Sequence, residues 1–364
     1  MSELKVTVEK VLEVNTHPNA DSLDIITIRN WNVIVRKDSF KVNDLGVFFP
    51  IDSILPESLE KTIFGEDSKV TLSKGRIKTI KLRGAISQGL FTPFSVLGIK
   101  EVKEDSDLTK VLGVTKYEPQ ESLPSHMQTK RTTSKKEVNP NFYKYTDINN
   151  LKNYTNVFTE GEHVYISEKC HGTNVRFGKV LKTKISLFDK ILKLFGKFDE
   201  YQKVYGSHNV QLQGGKKFNG FYDTNVYSLF ANQFIDNLEN DVVVYGEIYG
   251  PSIQKGYHYG LKNGEFGFVA FDVMMNGRYL GYNEFKNFCD NKGIPRVTEL
   301  YYGPYSKEVV DSLVSGDSIQ CPEQKIREGI VVKPIHERST YCGRLILKYI
   351  NPDYLLRKNN TEFH

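Results

Sequence analysis

Cysteine is scarce in this sequence, four residues in 364, and no two of them form a CxxC pair. Cys170, Cys289, Cys321 and Cys342 are scattered in a way that suits neither a zinc site nor a disulfide framework. A reducing compartment follows, and we expect a cytoplasmic protein. Long apolar runs are missing too. The longest, Phe266 to Met275, is broken by Gly267 and Asp272 and is too short to span a bilayer. The opening MSELKVTVEK lacks the apolar segment of a secretion signal. No membrane partner is expected. No GxGxxG turn joins a strand to a helix, which argues against a Rossmann fold. A strong excess of one charge is absent as well: the net charge is +5. Local clustering must therefore carry any case for nucleic acid.

What is present divides into two parts, as a chain of this length allows. Residues 1–114 read as short strands around Val6, Val8 and Val11, then IITI, VIV, GVFFPID and RIKTIKL, punctuated by Asn, Asp, Gly and Pro. Five strands in about a hundred residues predict a small all-β barrel of the OB-fold type, a common nucleic-acid platform. Residues 115–140 have few apolar side chains and a basic cluster at Lys130, Arg131, Lys135 and Lys136, and read as a linker. Residues 141–364 predict an α+β domain of antiparallel sheets with flanking helices. Its strands are VYIS, VVVYGEIYG, FGFVAFDVMM, GIVVKP and RLILKYI; Leu187–Phe195 and NEFKNFCDN read as amphipathic helices.

The chemistry concentrates in ISEKCHGTNVRFG, residues 166–178, where a strand delivers Lys169 to a turn at His171 and Gly172. A lysine acts as a nucleophile only after losing its proton, which needs desolvation or neighbouring cations. Cys170 beside it reads as a small packing residue, because side chains alternate along a strand. Glu247 after VVVYG and Glu328 before GIVV are hard oxygen ligands at strand ends, suited to Mg²⁺ or Mn²⁺. Phe271 in FVAFD is a good core residue on general grounds. An arginine fork such as that of Arg176 suits phosphate.

Taken in order, these segments resemble the ATP-dependent RNA ligases of the lysyl-nucleotidyltransferase superfamily. FYKYTDINNLKN is similar to the opening of the nick-sealing domain, and EKCHGTN to the nucleotidyl motif. VYGEIYG, FVAFD, REGIVVKP and LILKYINPDYL match the later motifs in sequence order. HPNADSLDIITI, FFPIDSILPE and KLRGAISQGL resemble the OB module that precedes the catalytic domain in Naegleria-type RNA ligases. That placement favours RNA over DNA joining.

The resemblance implies an adenylyltransferase domain, ATP with Mg²⁺ or Mn²⁺, and Lys169 as the residue that takes up AMP. It implies Lys333 and Lys348 as catalytic lysines that hold the triphosphate and repel the Lys169 proton. It implies nucleotide contacts from Glu168, Cys170, Asn174, Arg176, Glu247, Phe271, Glu328, Lys333 and Lys348, with Glu247 and Glu328 as metal ligands. Arg176, His208 and Asn209 are the candidates for binding the nucleic-acid end. The expected substrate is RNA with 5′-phosphate and 3′-OH ends, handled by a monomer without a stable protein partner. Two positions depart from the family pattern: His208 stands where an arginine is usual, and Ile350 where the last motif often has a second lysine. A DNA ligase and a non-catalytic RNA-binding relative are the competing readings.

Overall fold

The structure, a computed structural model, describes residues 4–66, 68, 71–100, 102–117, 139–183, 191, 193–195, 198–212, 226–254, 256–357 and 360–361. The basic cluster of the expected linker and most of the expected helix Leu187–Phe195 lie outside these residues. The chain divides into two compact units, one of Met1–Glu121, Asp147–Thr159 and Leu347–His364, the other of Ser122–Thr146 and Glu160–Ile346.

In the first unit, β1 (Thr7–Thr16), β2 (Leu23–Ile28), β3 (Trp31–Arg36) and β4 (Leu45–Phe49) are followed by β5 (Thr79–Leu82), β6 (Ala85–Gln88) and β7 (Leu90–Thr92). The sheet order is β3-β2-β1-β4-β7. Strand β1 serves both halves: Thr7–Lys10 pair with β4, and Val11–Thr16 pair with β2 beyond a bulge at Leu12. A bulge sharpens local twist, so a long strand can bend around a barrel. The hairpin β5–β6 approaches the free edge of β3, where Ile34 N donates to Ser87 Oγ at 3.0 Å. Val6, Val8, Val47, Phe49, Leu55 and Ile77 fill the interior. This is the expected OB barrel.

The expected boundary after residue 140 differs from the observed units, because Asp147–Thr159 and Leu347–His364 fall with the barrel. Side-chain chemistry explains the attachment. Trp31 Nε1 donates to Asn153 Oδ1 at 2.8 Å, and buried Lys152 donates to Gln88 Oε1 at 2.6 Å. The Lys152 ammonium also lies over the rings of Trp31 and Tyr349, at 4.9 and 5.0 Å. Asn149–Asn150 pair in parallel with Leu347–Lys348. Further on, Thr361 donates to Asp52, and Arg76, ion-paired with the same Asp52, donates to the Asn360 carbonyl.

The second unit is α+β. In one sheet β8 (His163–Lys169) lies antiparallel between β13 (Glu299–Pro304) and β14 (Gly329–Pro334). In the other, β10 (Tyr201–Ser207), β9 (Thr173–Leu181), β11 (Val242–Tyr249) and β12 (Gly267–Met275) run antiparallel side by side. Val175, Phe177, Val242, Val244, Ile248, Phe268 and Ala270 on one face of that sheet pack with the helices Val226–Phe234 and Tyr282–Lys292. Strand alternation then turns Asn174, Arg176, Tyr245 and Glu247 to the opposite face. The expected helix NEFKNFCDN lies within Tyr282–Lys292.

Candidate active site

Lys169 ends β8, and four residues later the chain enters β9, so the nucleophile candidate stands where the chain passes from one sheet to the other. The turn is tight. A Cβ on Gly172 would lie 2.1 Å from the Ile248 carbonyl oxygen, so only glycine fits between β9 and β11 there. Tyr259 accepts from His171 N at 2.8 Å and Gln254 donates to the Gly172 carbonyl at 3.0 Å, which fixes the turn from outside.

The Lys169 ammonium donates to Glu328 Oε1 at 2.7 Å. Its side chain is 15% exposed while that of Glu328 is fully buried. Glu247 completes the group, facing Asn174 across the β9–β11 pair. Burial pushes the Glu247 carboxyl up to about 8, with the Lys169 charge opposing and the Glu328 charge adding to the rise. Burial pulls Lys169 down, but Glu328 and Glu247 outweigh it and its pKa stands above the ordinary lysine value. Two carboxylates share one cation in a site with little water. Glu328 Oε2 and Asn174 Oδ1 are buried and accept no hydrogen bond, with His171 Nδ1 3.7 Å from the former.

This arrangement corrects one expectation. Lys169 is held protonated by carboxylates, not deprotonated by nearby lysines. Lys333 is buried, and its Nζ lies 2.6 Å from Asp272 Oδ2. It sits opposite Tyr165 on β14, four residues along the strand from the partner of Lys169. Asp272 also accepts from Arg344 at 2.7 Å and from the Tyr145 hydroxyl at 2.7 Å. Arg344 in turn forks onto Glu337 and stacks 3.5 Å over the Tyr279 ring. Sequence reading missed this Asp272 hub. The aspartate of FVAFD was visible, but its partners are contributed by three distant segments.

The Glu168 side chain points away from that of Lys169 and is saturated by Ser318 Oγ at 2.6 Å, Ile319 N at 2.7 Å and Gln320 N at 3.0 Å. It anchors a loop, and each of its oxygens already accepts from the protein. Cys170 is buried, and burial pushes its thiol well up, as befits a packing residue.

Arg176 is engaged largely by the protein itself. Fully buried, it donates to the carbonyls of Phe142 at 2.5 Å and Ser207 at 3.2 Å and lies 4.1 Å over the Phe142 ring. It clamps the start of the domain to β10, although its Nη2 has no partner. Phe271 is half-buried and meets Tyr145 edge-on at 4.8 Å. His208 and Asn209 follow β10; Asn209 is exposed and accepts from Lys144 at 3.3 Å. Lys348 is buried in the first unit, opposite Asn150, and Ile350 beside it is a core residue, which accounts for the apolar side chain there.

Among the described residues no group of three or more His, Cys, Asp or Glu side chains gathers as a metal cage. Glu247 and Glu328 nevertheless fit a Mg²⁺ or Mn²⁺ ion, which completes its shell with water and phosphate oxygens and needs only one or two carboxylates. The orphaned Glu328 oxygen is the observation in favour.

Comparison with known proteins agrees with this chemistry. No curated protein matches the sequence significantly. Among solved structures, Naegleria gruberi RNA ligase with PPi matches at a TM-score of 0.72 and 21% identity, over 97% of this chain and 98% of that one. A mutant of the same ligase with AMP and Mn matches at 0.71 and 22%, over 96% and 97%. Another mutant, with ATP and Mn, matches at 0.70 and 22%, over 96% and 98%. Likeness at that identity establishes the fold. A family model for an OB-fold domain matches residues 5–94. The RNA ligase family model matches residues 162–350, more than half of the chain, from the strand that carries Lys169 to the strand that carries Lys348. The chain therefore belongs to the RNA ligase family.

Proposed function

We propose that this protein is an ATP-dependent RNA ligase that works through a lysyl-AMP intermediate on Lys169. The contact that carries the reading is the one between Lys169 Nζ and buried Glu328, in a site where a single lysine faces two carboxylates. In the first step Lys169 Nζ, once deprotonated, attacks the α-phosphorus of ATP; an N–P bond forms and pyrophosphate leaves. The proton has a place to go, because Glu328 Oε1 is already in hydrogen-bond contact and Glu247 is poised near neutrality. A bound Mg²⁺ or Mn²⁺, held by Glu247 and Glu328, would supply positive charge for the phosphates and compete with Lys169 for the carboxylates. The tight turn at Gly172 fixes the direction of approach, which matters most in an in-line displacement.

AMP then passes from Lys169 to an RNA 5′-phosphate, and a 3′-OH attacks the activated end, releasing AMP and sealing the strand. Phe271 is the candidate to lie against adenine and Asn174 Oδ1 to accept from the nucleotide. We assign a monomer and a cytoplasmic setting, in keeping with four free thiols. The Mn and ATP or AMP carried by the Naegleria gruberi structures support the choice of nucleotide and metal.

Incubation with α-labelled ATP and Mg²⁺ or Mn²⁺ tests the reading. The wild type is expected to acquire acid-labile label, and Lys169→Ala none. Label retained by Lys169→Ala, or absent from the wild type, overturns it.

A further inference from the structure

Between Asp67 and Glu101 the sequence has no acidic residue and seven basic ones. Arg76 is spent inside the barrel on Asp52. Lys74, Lys78, Lys81 and Arg83, by contrast, are exposed, and none of their side chains makes an ion pair among the described residues. Elsewhere exposed cations are matched in some places, as in Lys61 with Glu57 and Lys307 with Asp311, and unmatched among the described residues in others, such as Lys37, Lys41 and Lys262; what sets this stretch apart is that no acidic residue interrupts it. Three of its unmatched charges sit on or beside the hairpin β5–β6, whose first strand also exposes Ile80 (45%) and Leu82 (37%).

The hairpin is fixed against the barrel at both ends and turns its charged side chains outward. Ser87 and Gln88 at its base are buried and bonded to Ile34 N and Thr79, and Asn19 donates to the Arg83 carbonyl at its tip. A two-stranded ribbon with uncompensated cations and two apolar side chains suits a nucleic-acid backbone, where cations meet phosphates and apolar groups lie against sugars. The wide, shallow minor groove of an RNA duplex admits such a ribbon.

We infer that the hairpin Thr79–Gln88 is a binding element for the RNA backbone, with Lys78, Lys81 and Arg83 as its phosphate contacts. The inference rests on the RNA ligase reading and adds a surface remote in sequence from Lys169.

The test is equilibrium binding of a nicked RNA duplex with a 5′-phosphate at several salt concentrations, by the full-length protein and its Lys78→Gln/Lys81→Gln/Arg83→Gln variant. Each phosphate contact contributes about 0.9 to the slope of log affinity against log salt. The triple variant is expected to lose about 2 to 3 from that slope and to bind roughly tenfold or more weakly at low salt. Lys81→Gln alone should lose about 1, and a charge-keeping variant (Lys78→Arg/Lys81→Arg/Arg83→Lys) should keep the slope. Thermal melting checks that the variants fold, and the single variant serves if the triple one does not. Adenylation by labelled ATP, read on the same samples, should not change. An unchanged salt slope with normal adenylation overturns the hairpin alone; absent adenylation in the wild type overturns the ligase reading instead.

Discussion

Two buried ionic clusters flank the strand pair β8–β14, and their chemistry differs. Around Asp272 the charges are matched: Lys333 and Arg344, joined by the Tyr145 hydroxyl, converge on one carboxylate, and Glu337 holds Arg344 from behind, with Arg344 Nη1 alone left without a hydrogen bond. Around Lys169 the balance is reversed. Glu328 and Glu247 share a single ammonium, one Glu328 oxygen has no hydrogen bond, and Lys169 and Glu247 are partly exposed. Burial makes unpaired charge expensive, so a cluster with as many cations as carboxylates holds a fold together, while one whose carboxyl groups outnumber its cations awaits a ligand. The lesson is that buried charge by itself does not mark a catalytic group; the mismatch in its partners does.

Breaking each cluster should therefore give opposite results. Asp272→Asn strands Lys333 and weakens Arg344, and is expected to cost about 3–5 kcal/mol of stability, read from denaturant midpoints. Glu328→Gln removes the anion bonded to Lys169 but leaves Glu247 beside it to release its proton and take over; it should cost less stability yet abolish self-adenylation. Should Asp272→Asn instead leave stability intact and remove only adenylation, the contrast between the clusters fails.

The pH dependence sharpens the same contrast. Glu247 is raised from its ordinary value to about 8, so the native state holds a proton that the unfolded chain releases. Its contribution to stability is full below about pH 4.5 and is lost as pH rises through about 8. Burial alone would raise Asp272, but Lys333 and Arg344 outweigh it and depress it, so its contribution is present above the ordinary carboxylate range and is lost as pH falls through the depressed value. Glu247→Gln should consequently flatten the alkaline fall in melting temperature, by a shift worth up to a few kcal/mol at pH 9, and leave the acid limb unchanged. An alkaline limb identical to that of the wild type would place the shared proton elsewhere.

Some of this was legible in the sequence. The order of motifs located Lys169, Glu247 and Glu328, because each lies within a short strand-and-turn signature. The barrel could be read from its spaced β runs. What escaped was set by partners remote in sequence: Arg176 donates to the carbonyls of Phe142 and Ser207, with Nη2 left over, and Lys333 donates to an aspartate on another sheet. The grouping of Asp147–Thr159 with the barrel depends on Trp31, Gln88 and Tyr349, which no local periodicity connects. The orientation of Glu168 was legible too. Alternation along β8 already put its side chain on the face opposite to Lys169.

That last residue gives the smallest and most discriminating test. Glu168 is next to the nucleophile in sequence, yet its three donors place it with the matched cluster in kind. Removing one donor by Ser318→Ala leaves two backbone N–H groups on the carboxylate, so the loss should be about 1–2 kcal/mol. Because the loop Ser318–Gln320 is held by the backbone bonds that remain, the KM for ATP and the preference for ATP over GTP should not move. Label transfer at graded ATP and GTP concentrations measures both. A change in nucleotide preference without a loss of stability would mean that Glu168 reads the base, and would move it from the structural side of the comparison to the catalytic one.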